Sequence, residues 1–379
     1  MIVRNEMAVI HRCLESVRPY ISHWTICDTG STDGTPELIE RFMAKEGIPG
    51  QLFRDEWVNF GHNRSISMER ERGTADYHLL LDADMVLRME ESGFHGPLTT
   101  LPNSGVGNNR AEHVFVGLSE DAYLLRFEGA IDYSVIRLVS DRHVWRYIGA
   151  THEYVFSDTA KPAAKLPGIS VRHFEDGGSR FDKYERDIRL LTEEYERGIK
   201  VHSPVSADEG RISSGKGKDD AINLPRTMFY LAQSYRDSKQ LETALDWYEK
   251  RVLMGGWEEE TWCALYQLAR IQQTLGSDWR VVLNSFLQAY NFRPRRLEAI
   301  YPIARFYREH QQWSLGYLFA RLITEVEYPD DILFVERAVY EHLLAEEYLI
   351  CCRMTGREEE AKRVEALLQA RKTQLRSTP

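Results

Sequence analysis

The chain has 379 residues, 43% of them hydrophobic and 11% aromatic, with a formal net charge of −10. That length allows two domains with separate cores. An acidic balance without any block of Lys or Arg argues against nucleic-acid binding. No apolar run is long enough to span a bilayer, and Met1-Ile2-Val3-Arg4-Asn5-Glu6 is not a secretory signal. The cysteines, Cys13, Cys27, Cys263, Cys351 and Cys352, are odd in number and lack metal-ligand spacing. They read as reduced, mostly buried thiols of a cytoplasmic protein.

The N-terminal half alternates strand-like and helix-like segments. Met1–Val3 is a strand stub, and Ile10, Leu14 and Val17 give Ala8–Val17 a helical spacing. Trp24–Cys27 reads as a strand ending at Asp28, followed by the turn-rich Thr29-Gly30-Ser31-Thr32-Asp33-Gly34. Thr35-Pro36-Glu37 is a helix start: a capping hydroxyl, proline at the first helical position, then an acid favoured by the dipole. Gln51–Phe53 is a further strand, and Asn63–Arg72 a helix closed by Gly73. Ala75–Leu81 is apolar at its end and reads as a strand buried on both faces, ending at Asp82. This rhythm predicts a layered α/β domain with a parallel sheet over residues 1–202. Beyond Met85 the signal weakens. Ala122–Phe127 and Val135–Val139 read as strands, His143–Gly149 is aromatic and basic, and Phe181–Ile199 is helical.

Residues 203–224 carry Ser, Gly, Lys and Asp with few apolar residues, which reads as a linker or mobile loop. From Pro225 to residue 379 the chain is helical and repetitive. Leu231-Ala232, Tyr235, Ala244 and Tyr248 sit near the offsets of a tetratricopeptide repeat. Leu268-Ala269, Phe286, Ala289 and Pro294 echo them, as do Ala304, Tyr307, Gly316 and Ala320; Ala345–Leu368 would be a degraded cap. Small residues at these places let paired helices approach closely. An irregular helical bundle is the alternative.

The chemistry concentrates at Asp82-Ala83-Asp84. Side chains two apart on an extended chain point the same way, so both carboxylates would project from the carboxyl end of a strand, where open α/β sheets hold ligands. Two like charges so close need a cation or hydrogen-bond donors. A divalent metal bridging to a negative ligand is the simplest reading, with Mn2+ or Mg2+ as hard ions taking oxygen ligands. Asp28 also ends a strand before a glycine turn, where it either meets a ligand or forms the turn itself. Arg64 lies near a helix start and suits phosphate, or a surface salt bridge; Asn63 shares that choice. Glu153, following His152, is the candidate base that deprotonates an acceptor, with His152 orienting it or binding metal. Asp132, Glu175 and Asp176 compete for that role. Tyr147 and Trp145 line a ligand or acceptor site or, more commonly for aromatics, the core.

Asn5-Glu6, then Asp28-Thr29-Gly30-Ser31-Thr32-Asp33-Gly34-Thr35, then Asp82-Ala83-Asp84, in that order, resemble family 2 glycosyltransferases of the GT-A fold. Phe60-Gly61-His62-Asn63-Arg64-Ser65 and Gly149-Ala150-Thr151-His152-Glu153 resemble a bacterial branch that carries tetratricopeptide repeats. The resemblance implies transfer of a sugar from a nucleotide-sugar, UDP favoured over GDP, usually with inversion. It implies that Asp28 contacts the base or ribose, Asp82 the ribose or a metal-bound water, and Asp84 the metal on the diphosphate. Val3, Asn5, Glu6, Asn63, Arg64, Ala83 and Arg180 become nucleotide-sugar contacts, and His173 a late metal ligand, since imidazole suits Mn2+. Lys183 could also meet the diphosphate, and Gly177-Gly178 could hinge a loop over the donor. Relatives begin with several more residues of the first strand, which implies a start upstream of Met1.

The acceptor is left open as a peptide, a protein or a glycan, with the repeats selecting it, holding a protein partner or pairing two subunits. A scaffold with a catalytically retired domain is the competing class. Nucleotidyl transfer would call for a glycine-rich phosphate loop near the first strand, and Val3-Arg4-Asn5-Glu6 contains no glycine.

Overall fold

The computed structural model describes residues 1–89, 117–129, 131–177, 183–202 and 214–376. They form two compact units, Met1–Gly129 with Ser134–Leu231, and Ala130–Tyr133 with Ala232–Pro379.

The first unit opens with strand β1 (Ile2–Val3), helix α1 (Ile10–Val17), β2 (Trp24–Asp28), α2 (Thr35–Glu46) and β3 (Gly50–Arg54). The three strands pair in parallel in the order β1-β2-β3, with Trp24 opposite Gly50 and Asp28 opposite Arg54. Helix α1 buries Ile10, Cys13, Leu14 and Val17, one stripe at helical spacing. That stripe joins Val3, Trp24, Ile26, Ile39, Phe42 and Ala83 in one core. Helix α2 begins differently from the expectation. Gly34, in a left-handed conformation, is its N-cap. The Thr35 hydroxyl instead donates to Asp33 at 2.6 Å and accepts from the Glu6 N–H at 2.9 Å.

Helix α3 (Phe60–Glu71) starts three residues before the expected Asn63, because the Asn59 side chain caps it by accepting from His62 N–H at 2.8 Å. β4 (Tyr77–Leu79) stops short of Asp82 and pairs antiparallel with β7 (Ile131–Ser140). The expected parallel sheet comprises three strands, β1, β2 and β3. A second, mixed sheet runs β7, β6 (Ala122–Glu128), β10 (Ala164–His173) and β5 (Met85–Met89), and β8 (Arg146–Ile148) forms a hairpin with β9 (Tyr154–Phe156). The strand at 85–89 escaped the sequence reading, since Met85-Val86-Leu87-Arg88-Met89 lacks strict alternation.

Helix α4 (Lys183–His202) and helix α5 (Ser214–Asp237) follow. Residues 214–224, expected within a linker, are thus helical. Their polar composition hid this, and the apolar positions that anchor the helix, Leu224, Met228 and Phe229, begin only at its middle.

The second unit is built of α6 (Leu241–Met254), α7 (Glu258–Thr274), α8 (Trp279–Phe292), α9 (Ile300–Glu309), α10 (Trp313–Ala320), α11 (Leu344–Met354) and α12 (Glu358–Arg376). Consecutive helices pack on one another from α6 through α8, and again from α9 through α12. The small residues fall where helices meet: Ala269, Ala289, Ala304 and Ala320 are fully buried, and a Cβ on Gly316 would lie 2.7 Å from Cys351 Sγ. Between α10 and α11 the repeat is interrupted by β11 (Val335–Glu336), which pairs with Ile131 and Asp132, and by one π-helical turn at Val339–Leu343. Arg296 lies beneath this insertion with no exposure.

Candidate functional site

Two loops interlock at the carboxyl ends of β1 and β2. Asn5 takes a positive φ of 57°, a conformation Asn tolerates better than most residues. There its side chain accepts from Thr32 N–H at 2.8 Å and its own N–H donates to Ser31 Oγ at 2.9 Å. Asp33 accepts from Met7 N–H at 3.0 Å. Asp28 is buried, and its carboxylate accepts from the N–H groups of Gly30 and Ser31 at 3.2 Å. Asp28 therefore forms the turn, as its alternative reading held. The Val3 carbonyl accepts from Thr29 N–H and Oγ1–H, and the Val3 and Ala83 side chains lie in the core. Any ligand contact from those two residues falls to backbone atoms.

Asp82 and Asp84 keep the expected alternation although they lie beyond β4: Leu81 and Ala83 are buried while the two aspartates are partly exposed. What neutralises them differs from the expectation. Asp82 Oδ1 is paired with Arg64 Nη1, and Oδ2 lies 3.8 Å from Arg137 Nη2. Burial alone would raise the Asp82 pKa, but the charges of Arg64 and Arg137 outweigh it and hold the carboxyl well below its usual range. Arg64 continues to Glu153, whose Oε1 is 2.6 Å from Nε. The two acids raise the Arg64 pKa against the opposing effect of burial. Beneath them Cys13 donates to the Asp82 carbonyl at 3.4 Å; burial first, then the two aspartates, push its thiol up to about 12. Arg137 was not foreseen: a lone arginine in a strand gives no signal until the strand is placed opposite Leu80.

Asp84 faces elsewhere. Its Oδ2 lies 3.1 Å from His173 Nε2 and 3.3 Å from Gly177 N–H. A Cβ on Gly177 would sit 3.2 Å from both Asp84 Oδ2 and Glu6 Oε2, so the loop after β10 passes close over both carboxylates. Asp176 holds that loop to α1 through a two-pronged pair with Arg12, at 2.7 and 3.1 Å. Among the described residues no three His, Cys, Asp or Glu side chains are arranged to hold a metal. Asp84 and His173 are brought together; Asp82 is turned to guanidinium groups instead. Arg180 and Gly178 lie outside the described residues.

The Glu153 loop is held from both sides. Gly61 on α3 approaches so closely that a Cβ there would lie 2.1 Å from the Gly149 carbonyl, and Phe60 N–H donates to the Ala150 carbonyl at 3.1 Å. Tyr147 N–H donates to Ser65 Oγ at 2.9 Å. The Phe60–Ser65 and Gly149–Glu153 motifs are thus two halves of one contact. Asn63 is fully buried and serves that region internally, donating to the Glu56 carbonyl and accepting from Val58 N–H. It is a staple of the loop before α3. From the other side, Glu194 on α4 accepts from Ala150 N–H, Asn223 and Thr227. His152, at a positive φ of 51°, stacks on Tyr230 with centroids 4.1 Å apart and lies 3.6 Å from the buried Asp187. Burial opposes ionisation of Asp187, yet hydrogen bonding and charge from His152 lower its pKa. Arg226 donates to the His152 carbonyl at 3.2 Å. His152 therefore anchors the loop, while Glu153 faces Arg64. A non-glycine residue in this conformation is strained and persists only where its surroundings hold it.

Residues 1–91 match the family model described as glycosyl transferase family 2. A TPR repeat-containing protein of Synechococcus elongatus is 34% identical over 93 residues, covering 24% of this chain and 21% of that protein. The chain thus spans about a fifth of the length of the curated relative it matches. Among solved structures, a tetratricopeptide repeat protein from Parabacteroides merdae is 18% identical with a TM-score of 0.30, covering 49% of this chain and 67% of that one. MamA is 12% identical with a TM-score of 0.33, covering 51% of this chain and 94% of its own. Likenesses at those scores add nothing to the helix pairs already described.

Proposed function

We propose that the first unit is a metal-dependent glycosyltransferase that moves a sugar from a nucleotide-sugar, a UDP-sugar by preference, to an acceptor hydroxyl with inversion. The observation that carries this reading is the chain Asp82–Arg64–Glu153 lying in a unit whose first 91 residues match glycosyl transferase family 2. A glycosyl transition state carries oxocarbenium character while its diphosphate gains negative charge. Arg64 and Arg137 supply positive charge beside Asp82, suited to that leaving group. Glu153 is the base: it takes the acceptor O–H proton as the acceptor oxygen bonds to the anomeric carbon and the bond to the diphosphate breaks. One displacement of this kind inverts the anomeric centre.

The donor chemistry at the rim fits a divalent cation through Asp84 and His173, an oxygen and an imidazole nitrogen 3.1 Å apart. Mn2+ or Mg2+ held there would act as a Lewis acid on the diphosphate. Asp82, already paired with two arginines, is not among its ligands in this reading. The helical unit is assigned to a protein partner or a protein acceptor. No helix of the described residues is long and apolar enough to cross a membrane.

The test is incubation with UDP- and GDP-sugars and Mn2+. Slow donor hydrolysis, lost in Asp84→Ala, is the expected result. If calorimetry detects no nucleotide binding to any of them, the reading fails. If Asp84→Ala leaves donor binding and every cellular effect intact, the scaffold reading replaces it.

A further inference from the structure

Arg64 serves two acids with one guanidinium, Asp82 through Nη1 and Glu153 through Nε. The two contacts are unequal. The Asp82 contact is a hydrogen bond, whereas the Arg64 Nε–H, though 2.6 Å from Glu153, is not aligned for one and has no other acceptor. The backbones of α3 and the Glu153 loop are in close contact where Gly61 meets Gly149. Side-chain rotation separates Arg64 from Glu153 without disturbing that contact. Arg137 stands behind Asp82 at 3.8 Å and would keep that carboxylate compensated. The Tyr147 ring, its centroid 5.7 Å from the guanidinium carbon, offers a flat apolar surface along which Arg64 can turn.

We propose that Arg64 is a positioning residue that couples donor binding to release of the base. A carboxylate held by a guanidinium is a poor proton acceptor, since taking the proton destroys the ion pair. A diphosphate competes for the same planar fork with more charge and more acceptor oxygens. Its arrival draws Arg64 from Glu153 and frees that carboxylate for the acceptor only when a donor is in place. This inference rests on the glycosyltransferase reading of the site.

By linkage, anything that frees Arg64 from Glu153 must tighten diphosphate binding. The test is calorimetric titration of the full chain with UDP, and with uridine as a control lacking phosphates. Glu153→Gln should bind UDP about tenfold more tightly than the parent and uridine equally. In an Arg64→Gln background the same substitution should yield no gain, and Arg64→Lys, which keeps the charge without the fork, should yield a partial one. Thermal melts identify any variant that has not folded, and the Glu153→Gln comparison on the parent background decides by itself. Unchanged or weaker UDP binding in Glu153→Gln overturns the inference, and so does an equal gain with Arg64 replaced. If the parent binds neither UDP nor GDP, the reading of the site fails first.

Discussion

Each unit places an arginine among carboxylates, and the two arrangements differ in how completely they are closed. In the helical unit, Arg296 and Glu298 have no exposed side-chain surface. All three Arg296 nitrogens have partners: Glu298 at 3.1 Å, Asp331 at 3.0 Å, and the carbonyls of Leu333 and Phe334 at 3.1 and 2.8 Å. Its guanidinium carbon lies 3.8 Å from the Trp262 ring centroid. In the α/β unit, Asp82, Arg64 and Glu153 retain 23%, 14% and 10% of their side-chain exposure, and Arg64 Nε has no aligned acceptor. Buried charge that is fully satisfied holds a structure together; charge left partly open and partly unsatisfied can still exchange partners. The contrast separates an architectural network from a candidate site.

The contrast breaks most visibly at Glu153. Glu153→Gln should lower sugar transfer by about 10²–10⁴-fold while leaving the fold intact, measured as turnover against thermal midpoint. Equal loss of nucleotide binding and transfer would mean the base is another residue. Arg296→Met should do the opposite. It leaves the buried Glu298 without its counter-charge, with only Tyr340 and the Glu336 N–H as donors, while Asp331 keeps Arg293. It should cost about 3–5 kcal/mol of stability, read from urea unfolding, with donor hydrolysis by the folded fraction unchanged. A cost below about 1 kcal/mol would show that water reaches this cluster.

A smaller effect sharpens the comparison inside the α/β unit. Asp28→Ala removes the acceptor for two turn N–H groups and should cost about 1–2 kcal/mol. If nucleotide binding falls far more than stability does, Asp28 touches the ligand as well as forming its turn. The smallest effect is a pH slope. Burial lowers the His78 pKa, but hydrogen bonds to Glu71 and Asp141 outweigh it and raise the value above 6.5. A raised histidine pKa contributes stability that is complete below 6.5 and is lost as pH rises through the folded value. The urea midpoint should therefore fall as pH increases above 6.5, and His78→Gln should flatten that fall. A slope unchanged by the substitution would assign it to other groups.

Much of the α/β unit could be read from residue order. The spacing of Ile10, Leu14 and Val17 predicted α1, and the turn residues after Asp28 predicted the loop that Asn5 and Asp33 fasten. The paired aspartates marked the candidate site. Three things were not legible. Polar residues 214–222 concealed the first half of α5, because a helix needs apolar spacing to be recognised and that spacing starts at Leu224. Asn63 and His152 carried functional types in motif positions, yet one staples a loop and the other stacks on Tyr230. Arg137, Asp187 and Glu194 reach the site region from distant strands and helices without a local signature.

The chain by itself determined which segments alternate strand and helix, where acidic residues end an apolar run, and that small residues recur along the helical half. These are local properties, set by side-chain periodicity and turn chemistry. Only the tertiary structure decided what neutralises each aspartate. Charge balance depends on which groups lie within a few ångströms, and the arginines that answer Asp82 come from α3 and β7, the histidine that answers Asp84 from β10. Sequence spacing carries no record of those distances.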